Sequence, residues 1–303
     1  MPATKHSKHL QASILDCLCY YAVFGLRLTT EQIFQLIDCK ATVVSIDAEL
    51  KALRRRKLIV GYKDGTYGLR DHSYPPRAPS QVAQTKLLKR AKRLSQALRW
   101  IPWVKSMVVV NSVAFGNCTN ESDIDLLFVT TPHRLYITKG IVYYLLNVLR
   151  LRETNKSKAG RFSLGWWVTT NGFDVERDLS QKFDLQHRYH WLLAAKPVYG
   201  AKIWQQLLAS SPSLRNHFPN YSFVHHTLPI DIIRISSLDK LDSRGFRTHL
   251  RHVAQQPQYQ RSDAFLRIRP DLVIQNSGSK GHPSQILLQY EKNLEKYHPS
   301  NKS

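Results

Sequence analysis

Cysteine is scarce in this 303-residue chain, and the few cysteines present are not paired as zinc ligands. No C-x-x-C spacing occurs, and four cysteines are too few for a disulfide scaffold in a chain of this length. We therefore predict reduced, mostly buried thiols at Cys17, Cys19, Cys39 and Cys118.

Apolar runs of membrane-spanning length are also lacking. Runs such as Val108 to Val110 and Leu126 to Val129 fall far short of the roughly 20 residues that a spanning helix needs. No signal-peptide pattern opens the chain. The sequence thus predicts a cytoplasmic protein without membrane association.

Acidic residues are outnumbered two to one. The chain has 44 Lys and Arg against 22 Asp and Glu, a net charge of +22. Such an excess favours polyanionic partners through Coulomb attraction and counterion release, and nucleic acid is the first of these. A proteome that is basic throughout is the alternative, but the charge is clustered: residues 51–100 hold fourteen Lys and Arg and only two acids, Asp64 and Asp71.

The first 72 residues have the pattern of a winged helix-turn-helix. Apolar residues at helical spacing and a capping box at Thr29 to Gln32 predict three helices, and Lys63-Asp64-Gly65 joins two strand-like runs into a hairpin. The helices are predicted over residues 8–25, 29–38 and 41–56, and the hairpin strands over 58–62 and 66–69.

In a winged helix, the third helix can lie in the major groove while the hairpin touches phosphates. Winged helices also dock proteins, and an arginine triplet can simply be the solvated end of a helix. The nucleic-acid-binding candidates are Lys51, Arg54, Arg55, Arg56 and Lys63.

Prolines divide this first module from the rest of the chain. Residues 73–80 contain three prolines and read as a linker, and residues 82–98 follow as a basic amphipathic helix. We predict a winged helix over 1–72, a linker with the basic helix over 73–100, a catalytic-type domain over 101–220, and a C-terminal extension over 221–303 that ends in a helix.

Two aspartates mark the segment that carries chemistry. Because side chains alternate along a strand, Asp123 and Asp125 share one face while Ile124 and Leu126 enter the core. Two carboxylates held together are costly unless a cation lies between them, and oxygen ligands of this kind suit Mg²⁺. The pair is the predicted metal and catalytic site.

A phosphate-binding loop is predicted just before this strand. A strand over residues 107–110 turns at Asn111 and Ser112 toward a short helix, where free backbone N–H groups can hold phosphate together with the Val113 backbone. Arg134 and Lys139, on the helix after the aspartates, can reach a triphosphate, although ordinary exposed helix charges explain them equally well.

These residues resemble a known family signature. Ser112, ten intervening residues and then Asp123-Ile124-Asp125-Leu126 are similar to the motif of the DNA polymerase beta-like nucleotidyltransferase superfamily. The order of winged helix, basic helix and core also resembles bacterial nucleotidyltransferase-domain proteins, over about residues 8–220. The resemblance implies an α/β (α+β) fold with a mixed sheet and flanking helices, and a Mg²⁺-dependent reaction of a nucleoside triphosphate.

Two departures from the family pattern bear on activity. Asn111 stands where the signature has glycine, and its side chain can crowd a phosphate. Active members carry a third carboxylate on a later strand, but the candidate strand over residues 161–170 has no acid. Asp174 and Glu176 follow it in what reads as a loop.

Two functions from different classes remain open. The first is an enzyme that moves a nucleoside monophosphate to an unknown acceptor, with nucleic acid among the candidates and a target within a toxin–antitoxin or other modification system as a variant. The second is an inactive nucleotidyltransferase-fold protein that acts as a winged-helix nucleic-acid-binding regulator. The nucleotide, the acceptor and the oligomeric state are not determined by the sequence.

Overall fold

The computed structural model describes residues 5–154, 156–172, 174, 178, 185–224, 235–257, 265–276 and 283–297. It has a mixed α/β architecture with two compact units. Unit 1 comprises the described residues of Met1–Arg77, Ser211–Phe223 and Pro283–Ser303, and unit 2 those of Ala78–Ser210 and Val224–His282.

The helices are α1 (Lys5–Val23), α2 (Thr30–Leu36), α3 (Val43–Arg55), α4 (Arg77–Leu98), α5 (Asn111–Phe115), α6 (Leu135–Val148), α7 (Leu185–Ala194), α8 (Ala201–Ala209), α9 (Pro212–His217), α10 (Ser236–Ala254) and α11 (Pro283–Tyr297). The strands are β1 (Leu28–Thr29), β2 (Ile59–Gly61), β3 (Thr66–Leu69), β4 (Val104–Val109), β5 (Ile124–Thr130), β6 (Phe162–Thr169), β7 (Lys196–Tyr199), β8 (Phe265–Arg269) and β9 (Leu272–Asn276). No helix within these described residues is both long and apolar enough to cross a membrane.

Unit 1 contains the predicted helices and hairpin. The Thr29 hydroxyl accepts from the Gln32 backbone and the Gln32 side chain accepts from the Thr29 backbone, which confirms the predicted capping box. A second capping box at Thr42 starts α3, whose buried side chains face the unit's core. The strands form a sheet in the order β1-β3-β2, with the β2–β3 pair as the predicted hairpin.

The C-terminal helix α11 belongs to unit 1 and packs on α1. The Asn293 amide donates to the Cys19 carbonyl over 3.0 Å, and the Tyr290 hydroxyl donates to Asp16. The predicted extension over 221–303 is therefore divided between the two units. Periodicity predicted the helix, but its partner lies more than two hundred residues away in the sequence.

All four cysteines are free and buried, as predicted. Burial raises the pKa of each thiol, because the thiolate loses the stabilisation of water.

Unit 2 is built on a mixed sheet in the order β7-β4-β5-β6-β9-β8. Strands β5 and β6 are parallel, and the other neighbouring pairs are antiparallel. Phe128 and Trp167 stack across this parallel pair with ring centroids 4.2 Å apart. The first residues of β5 and β6 therefore lie side by side, with Asp125 opposite Ser163.

Helix α4 belongs to unit 2 from its second residue, Ala78, onward. It begins at Arg77, inside the predicted linker, because proline is tolerated in the first turn of a helix, where the backbone N–H has no partner within the helix. Its apolar face joins the same core as β4 and β5 through Ala83, Leu87, Ala91, Leu94 and Leu98. The predicted basic outer face remains in solvent.

Gly200 gives a test of backbone packing in unit 2. Its φ is +63°, and an added Cβ would lie 2.0 Å from the Lys105 carbonyl oxygen. We expect Gly200→Ala to lower the free energy of unfolding by about 3 kcal/mol or more, from left-handed strain together with the backbone clash. Gly160→Ala is the matched control: it has the same φ, +63°, and only ordinary contacts, so a loss of about 1 kcal/mol is expected.

Urea unfolding followed by tryptophan fluorescence measures both variants, since all six tryptophans lie in unit 2. If both variants lose the same free energy of unfolding, the backbone clash at Gly200 does not contribute.

Candidate functional site

Asp123 directly precedes β5, and Asp125 is the second residue of that strand. Ile124 and Leu126 enter the core, as the alternation predicted, and both aspartates are half-buried and reach solvent. Burial and the neighbouring charge of Asp123 raise the pKa of Asp125 to about 7. The two carboxyls therefore interact, and holding both as anions is costly.

A third carboxyl, which the sequence analysis missed, joins this pair. Glu153 follows α6 and is held by its backbone N–H, which donates to the Phe162 carbonyl over 3.0 Å. Its carboxyl is within hydrogen-bonding reach of Asp123. Burial, that hydrogen bond and the charge of Asp123 raise the pKa of Glu153 to about 7. Asp123, Asp125 and Glu153 are called the carboxyl cluster below.

One sequence signal points to Glu153. It is the only acidic residue between Asp125 and Asp174. Of the two acids considered earlier, Asp174 is exposed and its backbone N–H donates to Asp178. Glu176 lies outside the described residues.

Ser163 connects two members of the carboxyl cluster. It occupies the position on β6 opposite Asp125. Its hydroxyl is within hydrogen-bonding reach of both Asp125 and Glu153, and these contacts lower the pKa of each carboxyl against the larger effect of burial. The glutamate thus enters from the loop before β6 instead of from the strand itself.

Asn111 holds Asp125 in place. Its φ of +57° is the left-handed conformation expected where the signature has glycine. Its side chain forms a hydrogen bond with Asp125, and its Oδ1 accepts from the Trp191 indole N–H over 2.8 Å. Trp191 is fixed in turn against Trp166, with ring centroids 4.6 Å apart. The amide is therefore committed to positioning a carboxylate.

Ser112 and Val113 start α5 directly beside the carboxyl cluster. The Val110 N–H donates to the Asp125 carbonyl over 3.0 Å, so the turn at Asn111 lies next to β5. Ser112 is half-buried, and Val113 is buried with its carbonyl accepting from the Gln84 amide over 2.8 Å. The structure thus brings the predicted phosphate loop and the aspartates together.

Two cations, Arg134 at the N-cap of α6 and Lys139 within that helix, are used in packing within unit 2. Arg134 is 2% exposed and pairs with Asp239 of α10. The Lys139 ammonium lies 2.9 Å from His249 Nε2 and 3.5 Å from Gln275 Oε1, and burial lowers its pKa to about 7. The helix pattern gave their position on α6 but not these partners. A cation that does act on Asp125 is Lys158, whose charge lowers the pKa of that carboxyl.

The five candidate nucleic-acid-binding residues of unit 1 are all exposed. Lys51 pairs with Asp47 at 2.6 Å, and Arg56 donates to Gln11 at 2.7 Å. Arg54 packs over Gly61, and Lys63 lies at the hairpin turn. Arg55 completes the set at the end of α3.

The donor chemistry of the carboxyl cluster fits a hard cation. It offers carboxyl oxygens beside the Ser163 hydroxyl, as Mg²⁺ sites do. Across the described parts of the chain, however, no three His, Cys, Asp or Glu side chains are gathered as a metal-ligand set. The predicted magnesium site therefore remains a proposal.

Comparison with known proteins gave no relatives: a scan of protein-family models and searches of curated proteins and of solved structures each returned no match. The resemblance to the nucleotidyltransferase superfamily stays a prediction, and the function has to be argued from the site.

Proposed function

We propose that unit 2 is a magnesium-dependent nucleotidyltransferase that moves a nucleoside monophosphate from a nucleoside triphosphate to an acceptor hydroxyl. The observation that carries the proposal is the convergence of Asp123, Asp125 and Glu153 beside the loop of Asn111 and Ser112. Buried carboxyls that repel one another raise their own pKa values, and such arrangements cluster at functional sites.

Asp123 and Asp125 would hold Mg²⁺, which when bound neutralises charge on the triphosphate. Asn111 and Ser163 fix the direction of the Asp125 carboxyl, so its oxygens are oriented before a ligand arrives. The Ser112 hydroxyl and the backbone at Val113 bind phosphate oxygens, and Lys158 adds positive charge on the same side.

In the reaction, the acceptor oxygen attacks the α-phosphorus and forms a new P–O bond. The bond from that phosphorus to the bridging oxygen breaks, and pyrophosphate leaves with the electron pair. The proton of the acceptor hydroxyl passes to a carboxylate, and Glu153 is placed for this because it enters the carboxyl cluster from a loop and is half-exposed.

Unit 1 supports a nucleic-acid partner. Its element order, with sheet order β1-β3-β2, is compatible with the winged helix predicted from the sequence. The exposed cations of α3 and the hairpin would then contact phosphates, and a cytoplasmic location accords with such a partner.

A second candidate function is an inactive regulator that keeps the fold and binds nucleic acid through unit 1. Asn111 in place of glycine favours this reading, as does the lack of a gathered ligand set among the described residues. Nucleotide binding separates the two candidates.

Calorimetric titration of ATP, GTP, CTP and UTP with Mg²⁺ into the full chain is the test. We expect at least one triphosphate to bind, and its affinity to fall about tenfold or more in Asp123→Asn/Asp125→Asn, because the variant removes two charges that hold the cation. Pyrophosphate should be released when total cellular RNA is added. Binding of none of the four triphosphates would reject the enzyme and leave the regulator.

A further inference from the structure

The outer face of α6 near its C-terminus exposes aromatic and aliphatic side chains. Tyr143 is 41% and Tyr144 68% exposed, and Val148 and Leu149 are about as open, at 60% and 59%. These residues are adjacent on one helix, and the chain then runs directly into the loop that carries Glu153. An exposed tyrosine pair at the end of the helix that precedes Glu153 favours a ligand with flat aromatic faces.

The loop after α6 is strongly basic. Residues 150–161 contain five cations and one acid, Glu153. The cations are Arg150, Arg152, Lys156, Lys158 and Arg161. This excess of positive charge makes the loop suited to a polyanion.

Aromatic and basic groups are already combined on this surface. The Arg152 guanidinium lies 4.6 Å from the Tyr143 ring centroid, and its Nε donates to Asn147 Oδ1 over 2.9 Å. Both side chains are thereby fixed in a stacked arrangement before a ligand binds, which lowers the entropic cost of binding.

The loop is also tied to the start of β5. The Gly160 N–H donates to the Ser122 carbonyl and the Phe162 N–H to the Leu151 carbonyl, at 2.8 and 2.9 Å. Thr154 and Ser157 exchange backbone hydrogen bonds across the turn. These backbone hydrogen bonds fix the described residues of the loop on either side, and Glu153 lies among them.

We infer that this surface, defined by Tyr143, Tyr144, Arg150, Arg152 and Lys158, binds single-stranded nucleic acid as the acceptor, an inference that rests on the proposed function. Bases stack on the tyrosines and on the Arg152 guanidinium, and the cations contact phosphates. The terminal hydroxyl of the strand then reaches Glu153. The exposed tyrosine rings favour this ligand over an acidic protein, because an acidic protein would be attracted by the cations alone.

The test is fluorescence anisotropy with labelled single-stranded oligonucleotides, one of RNA and one of DNA with the same sequence. Tyr144→Ala/Arg152→Ala removes two stacking faces, and with the Arg152 guanidinium it also removes one cation. Arg99→Ala/Trp100→Ala is the matched control, since it removes an exposed arginine and a tryptophan that is 65% exposed elsewhere on unit 2.

We expect the first variant to weaken binding of the RNA, the DNA or both by about tenfold or more, and the control by less than about twofold. The slope of log K against log salt should also become shallower by about 0.7 in the first variant, because one phosphate contact is lost. Equal affinities for the two variants would overturn the inference, and so would a loss of affinity with an unchanged salt slope.

The outcome is distinguishable from the fate of the enzyme proposal. Triphosphate binding in calorimetry tests the carboxyl cluster and the loop of Asn111 and Ser112, and Tyr144→Ala/Arg152→Ala should leave it unchanged. An intact oligonucleotide response without triphosphate binding would reject the enzyme and keep the surface. If triphosphate binds and Tyr144→Ala/Arg152→Ala leaves the oligonucleotide affinity unaltered, the enzyme proposal is kept and the surface is rejected.

Discussion

Glu153→Gln is expected to lower the rate of pyrophosphate release by about 100-fold or more. Glutamine has nearly the same shape and still accepts a hydrogen bond from Ser163, but it carries no negative charge and cannot take up the acceptor's proton. The initial rate at saturating triphosphate and Mg²⁺ measures the effect.

Glu121→Gln is the control for this prediction. Glu121 lies two residues before Asp123, is exposed, and does not shape the carboxyl cluster. Its replacement should change the rate by less than about twofold. If Glu153→Gln also stays within about threefold of the parent protein, Glu153 is not the third catalytic carboxyl.

Asp125→Asn is expected to stabilise the protein at pH 8 by about 2 kcal/mol and to have little effect near pH 4. In the folded chain the pKa of Asp125 is about 7, against an ordinary value of 3.8. Between these values the folded state holds the proton that the unfolded state has lost, so stability falls as the pH rises from about 4 to 7. Asparagine removes this loss.

The size of the gain is limited by solvent. A shift from 3.8 to about 7 corresponds to about 4 kcal/mol without screening, and the half-buried position and the coupling to Glu153 reduce it to about half. Urea unfolding at the two pH values, followed by tryptophan fluorescence, measures it. If Asp125→Asn is less stable than the parent at pH 8, the ionised Asp125 carboxylate does not destabilise the folded state.

Adding Mg²⁺ is a second test of whether the negative charge of Asp125 destabilises the folded state. At pH 8 the parent protein should gain stability on adding Mg²⁺, because the cation binds the folded state alone. Asp125→Asn should gain less, since one anionic ligand is missing.

The strand pair and its aspartates were predictable because their signals are local. Alternation around the aspartates predicts Asp125 on a different face from Ile124 and Leu126, and in the structure Asp125 is half-buried between these two fully buried residues. Beyond Asp125 the strand is buried at every position. The left-handed conformation at Asn111 was likewise foreseeable, since asparagine tolerates it better than other side chains.

Glu153 was missed because no local pattern marks it. It meets Asp123 only because β5 and β6 are parallel, which requires the chain to cross over through α6 and return to the same edge of the sheet. Lys139 shows the same limitation: helical spacing placed it on α6, but His249 and Gln275 come from more than a hundred residues downstream.

The placement of α11 has a consequence for how the chain is made. The helix that covers α1 through Tyr290 and Asn293 leaves the ribosome long after α1 does. Unit 1 cannot be completed until Tyr290 and Asn293 have been synthesised. The apolar side of α1 therefore lacks its cover while unit 2 is being synthesised. An isolated fragment of residues 1–77 would lack this cover, and its behaviour would not report that of unit 1 in the finished protein.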